Sequence, residues 1–217
     1  MKLQSFTSII LMACWSTGLH AQKVLTEGTL TYSISVESAN PKAPTNGGLQ
    51  GATYTVFLSG NKSRTEMTSG LGKEATIHDA ATGSGVILKE YSGQNLMITL
   101  SPQEWQDNNQ KFQDIVFQNT GETRRIGAYN CTKVIGKLKD GSTFTVYYTR
   151  EVTLGNQDYD PRFQSLPGLP VQYEMQRPSG VYTFTLTKVD QESVPSSKFE
   201  IPKSGYRVMP YSEVKHR

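Results

Sequence analysis

Cys131 and His78 are the side chains whose chemistry best suits a nucleophile and a general base. Cys131 stands in Ala128-Tyr-Asn-Cys-Thr-Lys-Val134, with no histidine nearby in sequence to activate its thiol. His78 precedes Asp79 in a strand-like stretch, and neighbours on a strand point to opposite faces of a sheet. The pair is therefore unsuited to form a dyad, so we expect no catalytic residues and no enzymatic activity.

The acidic residues give no clear metal or acid-base site. Glu104, Asp107 and Asp114 surround a predicted short helix, but no pattern sets two carboxylates at a defined separation. Asn156-Gln-Asp-Tyr-Asp160 places oxygen atoms at alternate positions, yet it lacks the glycine and the final glutamate of a calcium-binding loop. We therefore predict neither a bound metal nor a cofactor.

The charge of the chain argues against nucleic acid as a partner. The sequence has 22 Lys+Arg and 19 Asp+Glu, so loss of Lys2 with an N-terminal leader leaves a net charge of about +2. Nucleic-acid binding favours a clustered basic face. The densest basic pair is Arg124-Arg125, which we interpret as part of a solvated strand edge.

The first 21 residues have the order of a secretory signal peptide. Lys2 is followed by an apolar run at residues 6–15 and then by small and polar residues up to Ala21. The run is shorter than the ~20 residues that span a bilayer, so we expect no transmembrane segment, cleavage after Ala21, and a periplasmic or secreted protein. Alternatively, Leu-Met-Ala-Cys14 resembles a bacterial lipobox, and lipidation of Cys14 would make the protein a membrane-anchored lipoprotein.

Alternation of apolar and polar residues is the strongest signal in the rest of the chain. In six segments the apolar residues recur with a period of two, as expected for strands with one buried face. These segments lie at residues 30–36, 54–58, 96–100, 144–148, 171–175 and 182–186.

Turn and helix signals separate these segments. Lys139-Asp-Gly-Ser142 favours a hairpin with a type I′ turn, because Asp and Gly tolerate positive φ. One short helix is predicted, with Ser101 as the N-cap and Pro102 in the first position. Trp105 and Phe112 would be its apolar contacts.

The predicted fold is mainly β: a curved antiparallel meander of roughly ten or eleven strands forming a half-open barrel, in a single domain at residues 22–217. One short helix cannot cover the apolar faces of so many strands, so the sheet either closes on a filled core or leaves an apolar groove. For the groove, we predict ligand contacts from one set of inward-facing side chains: Tyr32, Ile34, Val56, Ile98, Phe144, Val146, Tyr173 and Phe184.

The five residues at 166–170, Leu-Pro-Gly-Leu-Pro, predict a rigid structural corner before a strand. Pro167 and Pro170 fix φ and lack the amide hydrogen that a sheet needs. Gly168 would permit the positive φ of a type II turn. The two leucines then either plug the end of the barrel or form the rim of a groove.

The same five residues resemble the Leu-Pro-Gly-Leu element of the secreted GLPGLI family. A related family of uncharacterised secreted bacterial proteins resembles the chain more widely, in the stretches at residues 60–67, 126–133 and 199–206. This resemblance implies a fold like that of the outer-membrane lipoprotein carriers, whose curved sheet wraps an apolar cavity. It also implies a lipid or another hydrophobic small molecule as cargo.

Two functional hypotheses remain open. In the first, the protein binds a lipid or another hydrophobic molecule within the curved sheet. In the second, its core is filled and it binds another envelope protein. For the second, the long, proline-containing loop at residues 39–48 is the natural candidate.

Overall fold

The computed structural model of the protein describes residues 23–39 and 49–214. The predicted signal peptide, Cys14 and residues 40–48 of the predicted interaction loop lie outside these ranges. The described residues form fourteen strands: β1 (Lys23–Leu25), β2 (Glu27–Ser38), β3 (Thr53–Ser59), β4 (Lys62–Ser69), β5 (Gly72–Asp79), β6 (Ser84–Tyr91), β7 (Gln94–Leu100), β8 (Val116–Ile126), β9 (Tyr129–Lys137), β10 (Thr143–Thr149), β11 (Val152–Leu154), β12 (Leu169–Arg177), β13 (Gly180–Asp190) and β14 (Arg207–Pro210). The helices are α1 (Pro102–Asn108), α2 (Tyr211–Val214) and four 3-10 helices, Gln110–Phe112, Gln157–Tyr159, Pro161–Phe163 and Ser196–Phe199.

Twelve of these strands form one curved sheet that does not close into a barrel. The six consecutive strands β2 to β7 form one antiparallel meander, and β8, β9, β10, β12 and β13 form a second. Pairing of β13 with β2 joins the two meanders. At one edge β14 pairs in parallel with β7, and a separate two-stranded sheet consists of β1 parallel to β11.

This architecture confirms the predicted mainly β fold with a curved, open antiparallel sheet. The structure has more strands than the expected ten or eleven. Several of them have polar residues where a half-buried strand usually has apolar ones, so the alternation that predicts a strand is absent. The sequence of β4, Lys-Ser-Arg-Thr-Glu-Met-Thr-Ser, is one example. The two parallel pairs also escape prediction, because no turn signal connects segments so distant in the chain.

The largest core lies where β2, β3, β10, β12 and β13 are covered by residues 156–170, and we call this part of the molecule the closed region. Tyr32 and Tyr173 are each only 1% exposed there. The rings of Tyr173 and Phe184 stack with centroids 4.7 Å apart. On the covering segment, Phe163 packs edge-on against Tyr173 at 4.9 Å. Burial of such side chains contributes about 1.5–3 kcal/mol each.

The corner at residues 166–170 is present, but its geometry differs from the prediction. The φ angle of Gly168 is not positive, so the turn is not of type II. Instead, the Gly168 N–H donates to the Leu166 carbonyl at 2.9 Å, which closes a three-residue turn centred on Pro167. Glycine is required here by space, since a Cβ atom at Gly168 would lie 2.1 Å from the Thr149 carbonyl oxygen.

Residues on either side of this turn belong to the main core. Leu166 and Leu169 are both buried in it. Pro170 is the second residue of β12 and pairs with Tyr148 at a register shift, a position that tolerates its missing N–H.

The hairpin at Lys139-Asp-Gly-Ser142 connects β9 and β10, but its turn type is not I′. Only Gly141 of the two central residues has positive φ, at 85°. The Gly141 N–H donates to the Leu138 carbonyl at 3.0 Å, and the Leu138 N–H donates to the Ser142 carbonyl at 2.9 Å. This pattern is that of a three-residue loop with glycine in the left-handed position.

Helix α1 begins as predicted. The Ser101 hydroxyl accepts from the Glu104 N–H at 3.3 Å, and the Glu104 carboxylate accepts from the Ser101 N–H at 2.8 Å. This reciprocal capping box satisfies two amide groups at the helix start. The four-residue α2 was not expected, and in the described part of the chain no helix has the length and apolarity needed to cross a membrane.

Candidate functional site

A cavity of about 560 Å³ lies between the inner face of strands β3 to β6 and the segment that contains α1. Its size falls within the range of roughly 300–1,000 Å³ that is usual for small-molecule sites. Apolar side chains form much of its lining: Tyr54, Met67, Ile87, Trp105, Phe112, Met175, Tyr182 and Phe184. We call this part of the molecule the open region. Its sheet wall lies on β4 to β6, and its cover consists of α1 and Gln110–Phe112.

The sheet wall of the cavity consists of two rows of paired residues. Thr65, Thr76 and Ile87 lie opposite one another on β4, β5 and β6. Met67 lies opposite Glu74 in the neighbouring row. Because directly paired residues project from the same face of a sheet, both rows point into the cavity. The wall therefore combines apolar side chains with small hydroxyl groups.

A buried ion pair between Asp160 and Arg162 forms another part of the lining. Their side chains are 6% and 13% exposed, and the Arg162 Nε atom donates to Asp160 Oδ1 at 2.9 Å. Burial alone lowers the pKa of Arg162, but the Asp160 carboxylate outweighs burial, and the pKa is raised well above its usual value. Arg162 therefore stays a cation, and its ion pair with Asp160 occupies that charge within the protein.

Buried tyrosines surround this ion pair. The Tyr32 hydroxyl donates to the Pro170 carbonyl at 2.8 Å. The hydroxyls of Tyr159 and Tyr173 have no hydrogen-bond partner among the described residues. Burial raises the pKa of both well above the usual value, so each remains a neutral donor. Tyr159 lines the cavity, but its hydroxyl oxygen is itself buried.

Trp105 anchors α1 to the sheet. Its ring stacks on the His78 imidazole with centroids 4.1 Å apart and planes 10° apart. On β6 it rests over Gly85, where a Cβ atom would lie 2.5 Å from the Trp105 ring. A second cavity of about 440 Å³ also borders Trp105 and includes His78 and Asp158 in its lining. The cover of the open region is therefore held mainly by one aromatic side chain.

The predicted ligand contacts are divided between cavity and core. Phe184 lines the 560 Å³ cavity, Phe144 lines an adjoining recess of about 240 Å³, and Ile98 lines a third space of about 420 Å³ between α1 and α2. The other five are buried in the main core and line none of these spaces, because the packing of the closed region covers them: Tyr32, Ile34, Val56, Val146 and Tyr173. Their contact with a ligand stays a prediction.

Several cavity residues escaped the sequence analysis. Thr65 and Met67 alternate on β4, but the polar residues around them hide the strand signal. Arg162 follows an aspartate and a proline that begin a short helix, a capping pattern visible in the sequence. That pattern predicts the turn, but it does not predict that the charges are buried.

Cys131 and His78, the candidate nucleophile and base, are both buried. Cys131 is buried, and burial is the main cause that raises its pKa to about 11, which disfavours the reactive thiolate. His78 is buried on the inner face with neither ring nitrogen hydrogen-bonded, and burial lowers its pKa. The Asn156 side chain caps a short helix by accepting from the Asp158 N–H at 3.1 Å. Across residues 23–39 and 49–214, no three His, Cys, Asp or Glu side chains are grouped so as to hold a metal ion.

Solved structures similar to this chain include two crystal forms of PNGF-II, in space groups C2 and P21. Their TM-scores are 0.48 and 0.49, with 16% and 15% identity, and they cover 85% and 87% of this chain. The chain spans 32% and 33% of the PNGF-II chains, about a third of their length. An uncharacterized conserved protein from Thermus thermophilus has a TM-score of 0.47 and 9% identity, covering 88% of this chain and 92% of its own.

Sequence comparison gives a family and no individual relative. No curated protein matches the chain. The profile of the family described as domain of unknown function (DUF4412) matches residues 45–206.

Proposed function

The chain belongs to the DUF4412 family, a domain of unknown function, and from this premise we propose that it binds a lipid or another hydrophobic molecule without catalysing a reaction. The observation that carries the proposal is the 560 Å³ cavity of the open region. Its apolar lining includes Met67, Ile87, Phe112 and Met175, all of which are half-buried. A ligand that covered them would gain about 25 cal/mol for each Å² of apolar surface removed from water.

Polar groups in the same cavity would orient such a ligand. The hydroxyl-bearing side chains of Thr65 and Thr76 lie on the sheet wall. A mostly apolar site with a few polar groups is the usual composition of a small-molecule site. The ligand that fits best is therefore hydrophobic along most of its length and carries some polar atoms.

Several finer predictions belong to this proposal. They are the relation to the GLPGLI family, the likeness to outer-membrane lipoprotein carriers, and a periplasmic or secreted location after removal of the signal peptide. The alternative of lipidation at Cys14 belongs here as well. The absence of catalysis draws support from Cys131, whose raised pKa makes it a poor nucleophile at neutral pH.

Native mass spectrometry of the mature protein purified from its own envelope tests the proposal. We expect a reproducible adduct of lipid mass that leaves on denaturation, followed by its identification in a lipid extract of the same sample. A covalent diacylglyceryl mass would instead show lipidation at Cys14. A chain without any adduct, which also fails to take up added hydrophobic dye, would contradict the proposal and favour the envelope-protein interaction hypothesis.

Substitutions locate the binding site. Ile87→Asp places a carboxylate on the sheet wall at a half-buried position, so we expect the fold to persist and the adduct to disappear. Val116→Asp also replaces an apolar side chain by a carboxylate, on β8, where the side chain is 66% exposed and is not part of the cavity lining. Circular dichroism on both variants verifies folding, and equal loss of adduct in the two would place binding elsewhere.

A further inference from the structure

The charges at the mouth of the cavity specify the ligand more closely. We propose that the ligand is an anionic amphiphile, with its hydrocarbon chain in the 560 Å³ cavity and its acidic group held between Lys111 and Arg177. This inference rests on the proposed function, since it concerns the ligand of the same site. Its support is the pairing of the charged side chains around the cavity, some of which form ion pairs within the protein.

Three cations and two carboxylates line the cavity. Asp160 neutralises Arg162, as described above. Glu74 pairs with Lys89 at 3.3 Å and also accepts from the Tyr91 hydroxyl at 3.4 Å. Both carboxylates of the lining are therefore occupied within the protein.

Lys111 and Arg177 are the remaining cations of the lining. Both side chains are exposed, so they lie where the cavity meets solvent. The Lys111 ammonium group is 4.8 Å from the centroid of the Phe112 ring and forms no ion pair among the described residues. The pKa of Asp140 is lowered mainly by hydrogen bonds from Ser142 and to a smaller extent by the charge of Lys111. Arg177 has neither an ion pair nor a side-chain hydrogen bond with any described residue. Among the described residues, the mouth therefore carries two positive charges that form no ion pair, beside an apolar interior.

The recess of about 240 Å³ provides space for a headgroup. It shares Lys111, Phe112, Arg162, Met175 and Arg177 with the large cavity, so the two spaces adjoin. Polar side chains complete the recess, and they include two carboxylates, Asp140 and Glu174. Asp140 accepts from the Ser142 N–H at 2.8 Å and from its hydroxyl. These neutral donors do not cancel a charge, so the two carboxylates reduce the attraction of the two cations for an acidic group.

An acidic group at this junction would contact both cations while its chain remained in the apolar cavity. Arg binds carboxylates and phosphates in a bidentate manner, and Lys adds a point charge. Because both side chains are exposed, each contact contributes modestly and weakens with salt. The two charges would therefore select among amphiphiles, whereas the cavity would supply most of the affinity.

A matched pair of probes tests the inference: dansylaminoundecanoic acid and its methyl ester, which share a chain and differ in charge. In fluorescence titrations of the full mature chain at low salt, we expect the acid to bind about five- to tenfold more tightly. The double substitution Lys111→Gln with Arg177→Gln should abolish this preference, so that the acid and the ester bind with similar affinity. High salt should reduce the preference of the unaltered protein in the same way.

The control exchanges one lysine and one arginine elsewhere, Lys62→Gln with Arg207→Gln, which are exposed and line none of these spaces. It changes the net charge equally and should retain the preference for the acid. Equal binding of acid and ester, or a preference that survives in the Lys111 and Arg177 variant, would overturn the inference and leave the proposed function standing. Failure of both probes to bind would overturn the proposed function itself.

Discussion

The closed and open regions share one sheet but have different covers. Over the closed region, residues 156–170 place Tyr159, Phe163 and Leu166 in the main core. Over the open region, α1 contributes no fully buried side chain and is held by Trp105. An inward-facing side chain therefore becomes part of the core or part of the cavity lining according to the segment that covers it, and not according to the strand on which it lies.

The largest expected effect lies at the boundary of the two regions, where Asp160 both lines the cavity and holds Arg162. Asp160→Asn keeps the size of the side chain and an oxygen that can cap the Arg162 N–H, but it leaves the guanidinium without a charged partner. We expect a loss of about 3–5 kcal/mol in the free energy of unfolding, because an uncompensated buried charge is costly. Urea denaturation measures this loss.

The control for this change is Asp190→Asn. Asp190 pairs with Lys188, whose side chain is 65% exposed, so the pair is screened by solvent and its loss should change stability little. Similar losses in the two variants would show that the boundary ion pair does not support the closed region.

A smaller loss is expected inside the closed region from Gly168→Ala. The new Cβ atom would meet the backbone at Thr149, which cannot move aside as a flexible side chain would. We expect destabilisation of about 1–3 kcal/mol in thermal or urea unfolding. Gly70→Ala is the matched control, since a Cβ atom there meets nothing within 4 Å and the backbone is not in the left-handed region. A neutral Gly168→Ala variant would mean that the corner yields, and that the closed region is less tightly packed than its contacts indicate.

The smallest effect belongs to the open region and depends on pH. His78, beneath Trp105, has a pKa lowered mainly by burial, although the carboxylates of Asp158 and Asp79 act in the opposite direction. Between this lowered value and the ordinary value of 6.5, the unfolded chain binds more protons than the folded one, so stability falls as pH falls through that window. Above the ordinary value the contribution is complete and constant.

Comparison with His78→Phe isolates this titration, because the other ionisable groups are the same in both proteins. As the pH falls from about 7 to about 5, we expect the melting temperature of the unaltered chain to fall relative to that of the His78→Phe variant. At higher pH the difference between the two melting temperatures should stay constant. Trp105 fluorescence recorded in the same series reports on the stacked pair. Parallel pH curves would show that protonation of His78 does not disturb the cover of the open region.

The sequence predicts the sheet better than it predicts the cavity. Period-two alternation identified β2, β10 and β13, because side chains of a half-buried strand must alternate whatever covers them. The same alternation could not separate Tyr32, which is core, from Met67, which lines the cavity, because that distinction depends on segments distant in sequence. The Asp160 and Arg162 pair escaped for the same reason: a loop sequence shows the turn but not what packs over it.

The unclosed sheet also leaves two edges, and their composition has a consequence for the protein in concentrated solution. The four-residue β14 forms one edge. The other edge, β8, is longer but carries a register shift between Asn119 and Thr123, and Arg124 and Arg125 are exposed beyond it. A short edge, an irregular backbone and exposed charges all oppose pairing with a strand from another molecule. The sheet can thus remain unclosed without offering a template for fibre growth.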